Sequence, residues 1–348
     1  MNMSIGGATF LPPISSPVQV GGRPSIQSQL SNSAEELTFG RTQDTSRPRR
    51  EVSKVLPHSN RFNKVQQVLA LMRTASATDL RYGRLQRLAR SVISSRGDIS
   101  LITGRSDLSP EDRMLALQFA FEETATLGDD AVIVQARIIE AQQALDEDFG
   151  QQIRARLHAM EIAISMGEST HDIDSFQTAY LAVLAQGSCA AMLDEILKHF
   201  RKRLRRALKM LTLTLGRELD SNWTSCPAEY LHLIRQMLYE TSSIANVLDE
   251  CETLCSQWEE RQGMRLNDPV EMTRDLVKIA AEPWVVPARF IKMADSFVAS
   301  PWRLRFLGRV RTWMQNMPDK LFVDDASRTR VVEAIQEALD KEADIEPL

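Results

Sequence analysis

The chain has 348 residues, of which 43% are hydrophobic and only 6% aromatic, and its formal net charge is −4 at pH 7. This length suits two or three domains, and the scarcity of aromatic residues favours cores of Leu, Ile, Val, Met and Ala, as in helix bundles. The mildly acidic balance argues against a dedicated nucleic-acid-binding protein. Four cysteines are too few for a disulfide framework in a chain this long, so we expect reduced thiols.

The first 60 residues differ from the rest. They are rich in Ser, Gly, Pro, Gln and Arg and lack a sustained apolar period, which predicts a disordered arm. Residues 1–22 contain no charge and therefore lack the basic start of a Sec signal peptide. They are either an ordinary disordered terminus or an export signal of another type. The short acidic element at residues 33–39 is able to fold as a strand or a helix on a partner.

Beyond the arm, apolar residues recur at helical spacing, and few segments alternate with a period of two. The whole body is therefore predicted to be helical, in three consecutive bundles over residues 61–168, 169–262 and 263–348. No exact internal repeat is visible. Three modules of similar helix count can nevertheless stack end to end into a rod.

Several helix starts carry capping signals. Ser109 and Asp268 are each predicted to be an N-cap, with a proline at the first helical position after them. Asp129 or Asp130 is predicted to cap the following helix of the first bundle. A separate helix is then predicted over about residues 149–166.

Signatures of catalysis and metal binding are absent from the sequence. It has no GxxxxGK[ST], GxGxxG, HExxH or GxSxG motif. Cys251 and Cys255 are spaced CxxxC, without a second His or Cys pair nearby, so we expect no zinc site. No apolar run of about eighteen residues is present, so no membrane span is expected. We therefore predict a protein that is not an enzyme and that uses no cofactor or small-molecule substrate.

One segment is strongly basic. Residues 198–209 read KHFRKRLRRALK above a helical apolar stripe. The segment is either an exposed bundle face with salt bridges to acidic neighbours or a binding site for an acidic protein, with nucleic acid the less favoured ligand. The candidate partner-binding cations are Arg201, Lys202, Arg203, Arg205 and Arg206.

The last block concentrates the aromatic residues, including Trp284, Trp302 and Trp313. These residues either build a C-terminal core or, where a tryptophan stays exposed, supply an anchor for a protein partner.

The order of features along the chain carries a family resemblance. An uncharged N-terminus precedes an acidic SAEELTFG element and a basic RPRR stretch, and helical bundles follow. In the middle block, FQTAY (176–180) precedes the basic helix, LTLGRELD (213–220) and SCPAEYL (225–231). This organisation resembles the YopN/MxiC/HrpJ family of type III secretion gatekeepers, with the HrpJ branch of plant pathogens nearest. The last block, from about Asp268, resembles the TyeA-type module that many members carry.

The resemblance implies a rod of three X-bundle domains behind a flexible secretion and chaperone-binding segment. It implies a non-enzymatic virulence regulator in the bacterial cytoplasm, associated with the secretion apparatus, that controls the order of translocator and effector export. The implied partners are type III chaperones and export-apparatus or sorting proteins. The protein would itself be secreted, with the host cell as a destination.

Under this interpretation, residues 1–22 become the export signal. The candidate chaperone contacts are Glu35, Glu36, Leu37 and Phe39. The alternative is a cytosolic helical adaptor or transcription-linked regulator that uses the basic helix 198–209.

Overall fold

The computed structural model describes residues 62–220, 228–262, 268–297 and 299–345, and every regular element in these ranges is helical. The prediction of an all-α protein is confirmed. The described part contains no helix long and apolar enough to cross a membrane. The α-helices are α1 (Asn63–Thr74), α2 (Asp79–Ser94), α3 (Ser100–Thr103), α4 (Pro110–Glu123), α5 (Ala131–Ser165), α6 (Thr170–Leu184), α7 (Cys189–Phe200), α8 (Leu204–Asp220), α9 (Ala228–Gln262), α10 (Pro269–Ala280), α11 (Pro287–Ala294), α12 (Ser300–Asn316) and α13 (Asp325–Ile345).

Two of the predicted helix starts are confirmed. The Ser109 side chain accepts a hydrogen bond from the Asp112 amide, and a proline occupies the first position of α4. The Asp268 carboxylate accepts a hydrogen bond from the Val270 amide at 3.0 Å and caps α10 in the same way. Both caps satisfy backbone donors that a helix N-terminus leaves without an intrahelical partner.

The predicted break before residue 149 is wrong, because α5 continues unbroken for 35 residues. Gly150 lies near the middle of this helix, and a glycine lowers the stability of a helix by only about 1 kcal/mol relative to alanine. Buried apolar residues on either side keep the same face turned inward. The missing side chain also leaves room for an ion pair between Asp146 and Arg154 at 3.3 Å, because a Cβ on Gly150 would lie 2.6 Å from the Asp146 carboxylate.

Capping of α5 by Asp130 is not what the structure shows, and the side chain of Asp129 lies outside the described part, so capping by Asp129 stays a prediction. Asp130 occupies the N-cap position, but its side chain makes no capping hydrogen bond. Its backbone is already in the right-handed helical region, with φ −75° and ψ −13°, whereas a capping residue normally lies in the β region. The 3₁₀ turn Gly128–Asp130 leads directly into the helix instead.

Two long helices connect successive parts of the body. Helix α5 packs against α1 and α4 on one side of the chain and against α6 and α8 on the other. Helix α9, also of 35 residues, packs against α8 and then against α10. Each is about 52 Å long. Neighbouring groups of helices therefore share a continuous helix, and we retain the division into three X-bundles as a proposal.

The described cysteines Cys189, Cys251 and Cys255 are free thiols. Burial raises the pKa of Cys251 to about 12 and that of Cys255 to about 11. Both thiols therefore stay protonated at neutral pH, which disfavours metal binding and nucleophilic reactivity. No group of three or more metal-ligating side chains occurs in the part of the chain that the structure describes.

A buried polar cluster joins α5, α6 and α8. His158 Nδ1 lies 3.1 Å from Glu218 Oε1, and both side chains are almost completely enclosed. Burial raises the pKa of Tyr180 well above its ordinary value, and the neighbouring Glu218 and Tyr230 add to the effect. These polar side chains lie close together in the interior, where loss of a polar neighbour is costly.

We expect His158→Ala to lower the free energy of unfolding by about 1–3 kcal/mol, because the buried Glu218 carboxylate loses a partner. Chemical denaturation followed by circular dichroism measures the change. His232→Ala is the control, since His232 is exposed on α9 and its loss should cost no more than about 0.5 kcal/mol. Equal losses in the two variants would contradict the structural role of the His158–Glu218 pair.

Candidate protein-interaction surfaces

The basic segment is not one helix, as the sequence predicted, but two helices joined by the 3₁₀ turn Arg201–Arg203. The break occurs at Phe200, whose backbone adopts φ −128° and ψ 26°. Its ring packs edge-on against Phe176 at 6.2 Å, and the Arg203 guanidinium lies over it at 5.8 Å. The cations point outward, and the apolar stripe, including Leu204, is buried as predicted.

Two of these arginines converge on one buried carboxylate. Glu168 has a side chain only 2% exposed, and it pairs with Arg203 at 3.3 Å and with the Nε of Arg206. Arg206 also donates to the Met166 carbonyl at 2.6 Å. Gly167 adopts a left-handed conformation (φ 70°) and ends α5 in a Schellman-type turn. This turn positions the Glu168 carboxylate and the Met166 carbonyl. The basic segment thereby clamps the connection between α5 and α6.

The neighbouring cations reach two other helices. Arg205 pairs with Asp249 at 2.5 Å and with Glu252, both on α9. Arg201 pairs with Glu271 of α10 at 2.9 Å.

Lys202 differs from the four arginines, since it is exposed and forms no ion pair with any described residue. The arginines thus make salt bridges to acidic neighbours, which is one of the two roles that the sequence allowed. Partner binding by Arg201, Lys202, Arg203, Arg205 and Arg206 stays a prediction.

A second ionic contact ties α7 to α10. Asp194 accepts a hydrogen bond from Arg274 Nε at 2.8 Å, and Lys278 Nζ lies 3.0 Å from its other oxygen. Burial alone would raise the pKa of Asp194, but the hydrogen bonds from Lys278 and Arg274 outweigh it and lower the pKa. Together with the Arg201–Glu271 pair, this contact joins the middle of the chain to its C-terminal helices.

Only one of the three predicted tryptophan anchors is exposed. Trp284, between α10 and α11, is 77% exposed, and Arg330 lies over its ring at 5.2 Å. Val286 beside it is also exposed. Trp302 and Trp313 are half-buried and pack against the core.

A cleft that the sequence analysis missed lies between α9 and α12. It has a volume of about 360 Å³, and its lining includes Trp258, Trp302, Arg305 and Arg309. The spacing of the two arginines does place them on one face of a helix. Nothing in the sequence indicated that α9 supplies the opposite wall.

The predicted chaperone contacts Glu35, Glu36, Leu37 and Phe39 lie outside the described residues, and so do residues 1–22. Both assignments stay predictions.

Residues 270–347 match the family model of TyeA. This stretch contains α11, α12, α13 and most of α10, together with Trp284, Trp302 and Trp313, so the predicted similarity of the last block to TyeA is confirmed. The body also shares the fold of Chlamydia pneumoniae CopN, with a TM-score of 0.50 and 13% identity over 82% of this chain and 99% of that one. The solved CopN-Scc3 complex aligns with a TM-score of 0.49 and 15% identity over 80% of this chain and 99% of that one. No curated protein matches the chain in sequence.

We expect Arg206→Ala to lower the free energy of unfolding by about 1–3 kcal/mol, because it removes a hydrogen bond from the buried Glu168 carboxylate. Arg205→Ala is the matched control on the same helix, since its partners Asp249 and Glu252 are much more exposed. An exposed pair contributes about 0–1 kcal/mol. Urea denaturation of both variants tests the difference, and a greater loss for Arg205→Ala would refute it.

Arg203 also pairs with Asp172 of α6, and acid should weaken this contact. A hydrogen bond from Arg203, followed by one from Ser169, lowers the pKa of Asp172 below its ordinary value of 3.8. A lowered folded-state pKa contributes stability that is fully present above the unfolded-state pKa and is lost as the pH falls through the folded-state value. The stability difference between the wild type and Asp172→Asn should therefore be constant from pH 7 to about 5 and shrink below about pH 4. Denaturation at several pH values measures it, and a pH-independent difference would contradict this linkage.

Proposed function

We propose that this protein is a gatekeeper of type III secretion that controls the order of translocator and effector export through protein contacts. The observation that carries the proposal is the TyeA match over residues 270–347. It is supported by the fold shared with CopN along most of the chain and by the order of an uncharged N-terminus, an acidic element and helical bundles.

The described surfaces suit regulation by binding. The exposed Trp284 and Val286 form an apolar projection on the TyeA-like part, and exposed tryptophans are frequent anchors in protein interfaces. The ionic contacts of Arg201 and Asp194 hold that part against the middle of the chain. In this proposal the protein acts in the bacterial cytoplasm at the secretion apparatus, binds type III chaperones and export-apparatus or sorting proteins, and is itself exported.

The alternative of an adaptor or transcription-linked regulator that works through the basic helix has less support. Arg201, Arg203, Arg205 and Arg206 already neutralise carboxylates of the same chain. Nucleic-acid affinity depends on cations that are free to replace counterions at phosphates. Most of the charge in residues 198–209 is therefore committed within the fold.

Deletion of the gene, followed by profiling of secreted proteins, tests the gatekeeper role. We expect effectors to appear in the medium earlier or in larger amounts relative to translocators. A wild-type profile under inducing conditions would refute the proposal. Removal of residues 1–22 should separately abolish export of the protein, while the helical circular dichroism signal remains unchanged.

Trp284→Ala should reduce the retention of secretion-apparatus proteins in affinity capture and alter the secretion profile. Because Trp284 is 77% exposed, its loss should cost the fold no more than about 1 kcal/mol, which is the value of the stacking with Arg330. Trp313→Ala is the comparison, since that half-buried ring contributes to the core and its removal should destabilise the protein. Unchanged capture and secretion by a stable Trp284→Ala protein would exclude Trp284 as an anchor.

A further inference from the structure

The cleft between α9 and α12 combines an aromatic floor with a cationic rim. Trp258 and Trp302 meet edge-on in it, with ring centroids 5.7 Å apart, and Leu254 extends the apolar surface. Its volume of about 360 Å³ lies within the range of about 300–1,000 Å³ that is typical of ligand pockets. Gly308 lines the opposite wall, and a Cβ at that position would meet no atom within 4 Å. The cleft is therefore open enough to admit a side chain.

The rim charges are not neutralised within the described residues. Arg305 and Arg309 are exposed, and neither forms an ion pair there. Arg303, on the same helix, instead pairs with Asp295 and Glu342. The guanidinium of Arg305 lies over the Trp302 ring at 4.8 Å, and both side chains line the cleft. An apolar floor beside two guanidinium groups that form no ion pair with a described carboxylate suits a peptide that combines carboxylates with apolar side chains.

One segment of this chain has that chemistry. Residues 34–39 read AEELTF, and in the first 60 residues no other pair of acidic residues is adjacent. We propose that this segment docks in the cleft of its own chain. Glu35 and Glu36 pair with the two rim arginines, while Leu37 and Phe39 cover the tryptophan floor. In this proposal the acidic element occupies the cleft as an intramolecular ligand.

A series of side-chain contacts links the start of the described chain to the beginning of α9. Lys64 on α1 pairs with Glu161 of α5, one turn beyond His158. His158 contacts Glu218, and the cluster around Glu218 includes Tyr230, near the first residue of α9. Residue 62, where the described chain begins, is therefore connected through these contacts to one end of the helix whose other end forms the cleft.

The length of the intervening chain permits the contact. From Tyr230 to Trp258, α9 covers about 42 Å. Roughly two dozen residues separate Phe39 from Phe62, and such a chain spans up to about 75 Å when extended. The segment is therefore able to reach the cleft without any change in the helical body.

The docking of residues 34–39 in the cleft does not depend on the proposed secretion role. If both hold, docking and chaperone binding compete for the same residues. The same residues are the predicted chaperone contact, so a chaperone bound to Glu35–Phe39 would leave the cleft between α9 and α12 open to another partner.

Photo-cross-linking in the full-length purified protein tests the proposal. Phe39 is replaced by p-benzoylphenylalanine, and the cross-linked peptides are identified by mass spectrometry. We expect cross-links to residues 254–258 and 302–309.

The double variant Arg305→Glu and Arg309→Glu should lower the yield of these cross-links about tenfold, as expected from two ion pairs of up to about 1 kcal/mol each. Adding Glu35→Arg and Glu36→Arg should restore it, because the charges are complementary again.

Matched glycine variants separate blocking of the cleft from a general effect on a helix. Gly308→Gln fills the cleft and should abolish the cross-links. Gly216→Gln makes the same change at a glycine of α8 that has equally open surroundings, and it should leave them unchanged. Cross-links that map elsewhere, or that persist in both Gly308→Gln and the double arginine variant, would overturn the proposal. Cross-links between isotopically labelled and unlabelled copies would overturn docking within one chain.

Discussion

Two continuous helices of 35 residues, α5 and α9, set the positions of everything else in the described body. Along its length, each of them packs first against one group of helices and then against the next group. A straight helix fixes both the distance and the rotation between side chains along its length, because every residue adds about 1.5 Å and about 100°. A break at Gly150 would therefore have separated the α1–α4 contacts from those of α6 and α8.

Ion pairs add a second set of contacts between the helices. The basic segment at residues 198–209 lies where the α5–α6 connection, α9 and α10 come together, and its arginines supply a cation to each. The contacts are unequal, because Glu168 is enclosed while Asp249 is more than half exposed. Enclosure makes loss of a partner costly, whereas solvent screens an exposed pair. The dense positive charge is thus largely structural.

Two exposed arginines of α12 form no ion pair with any described residue and are therefore candidates for binding a ligand. Arg305 and Arg309 line a cleft between α12, which belongs to the part that matches TyeA, and α9, which precedes that part and supplies Trp258. The exposed Trp284 lies in the same part, between α10 and α11. The exposed tryptophan and the cationic aromatic cleft differ in chemistry. Under the proposed gatekeeper function, they are candidate surfaces for two different ligands.

The sequence by itself determined the all-helical class, the starts of α4 and α10 and the similarity of the last block to TyeA. Helical periodicity and capping depend on residues within about four positions, so a local pattern is enough to identify them. Only the tertiary structure decided that α5 runs through Gly150, that Arg203 and Arg206 converge on Glu168, and which tryptophan is exposed. These outcomes depend on elements tens of residues apart, whose burial and opposing charges become neighbours only after the chain has folded.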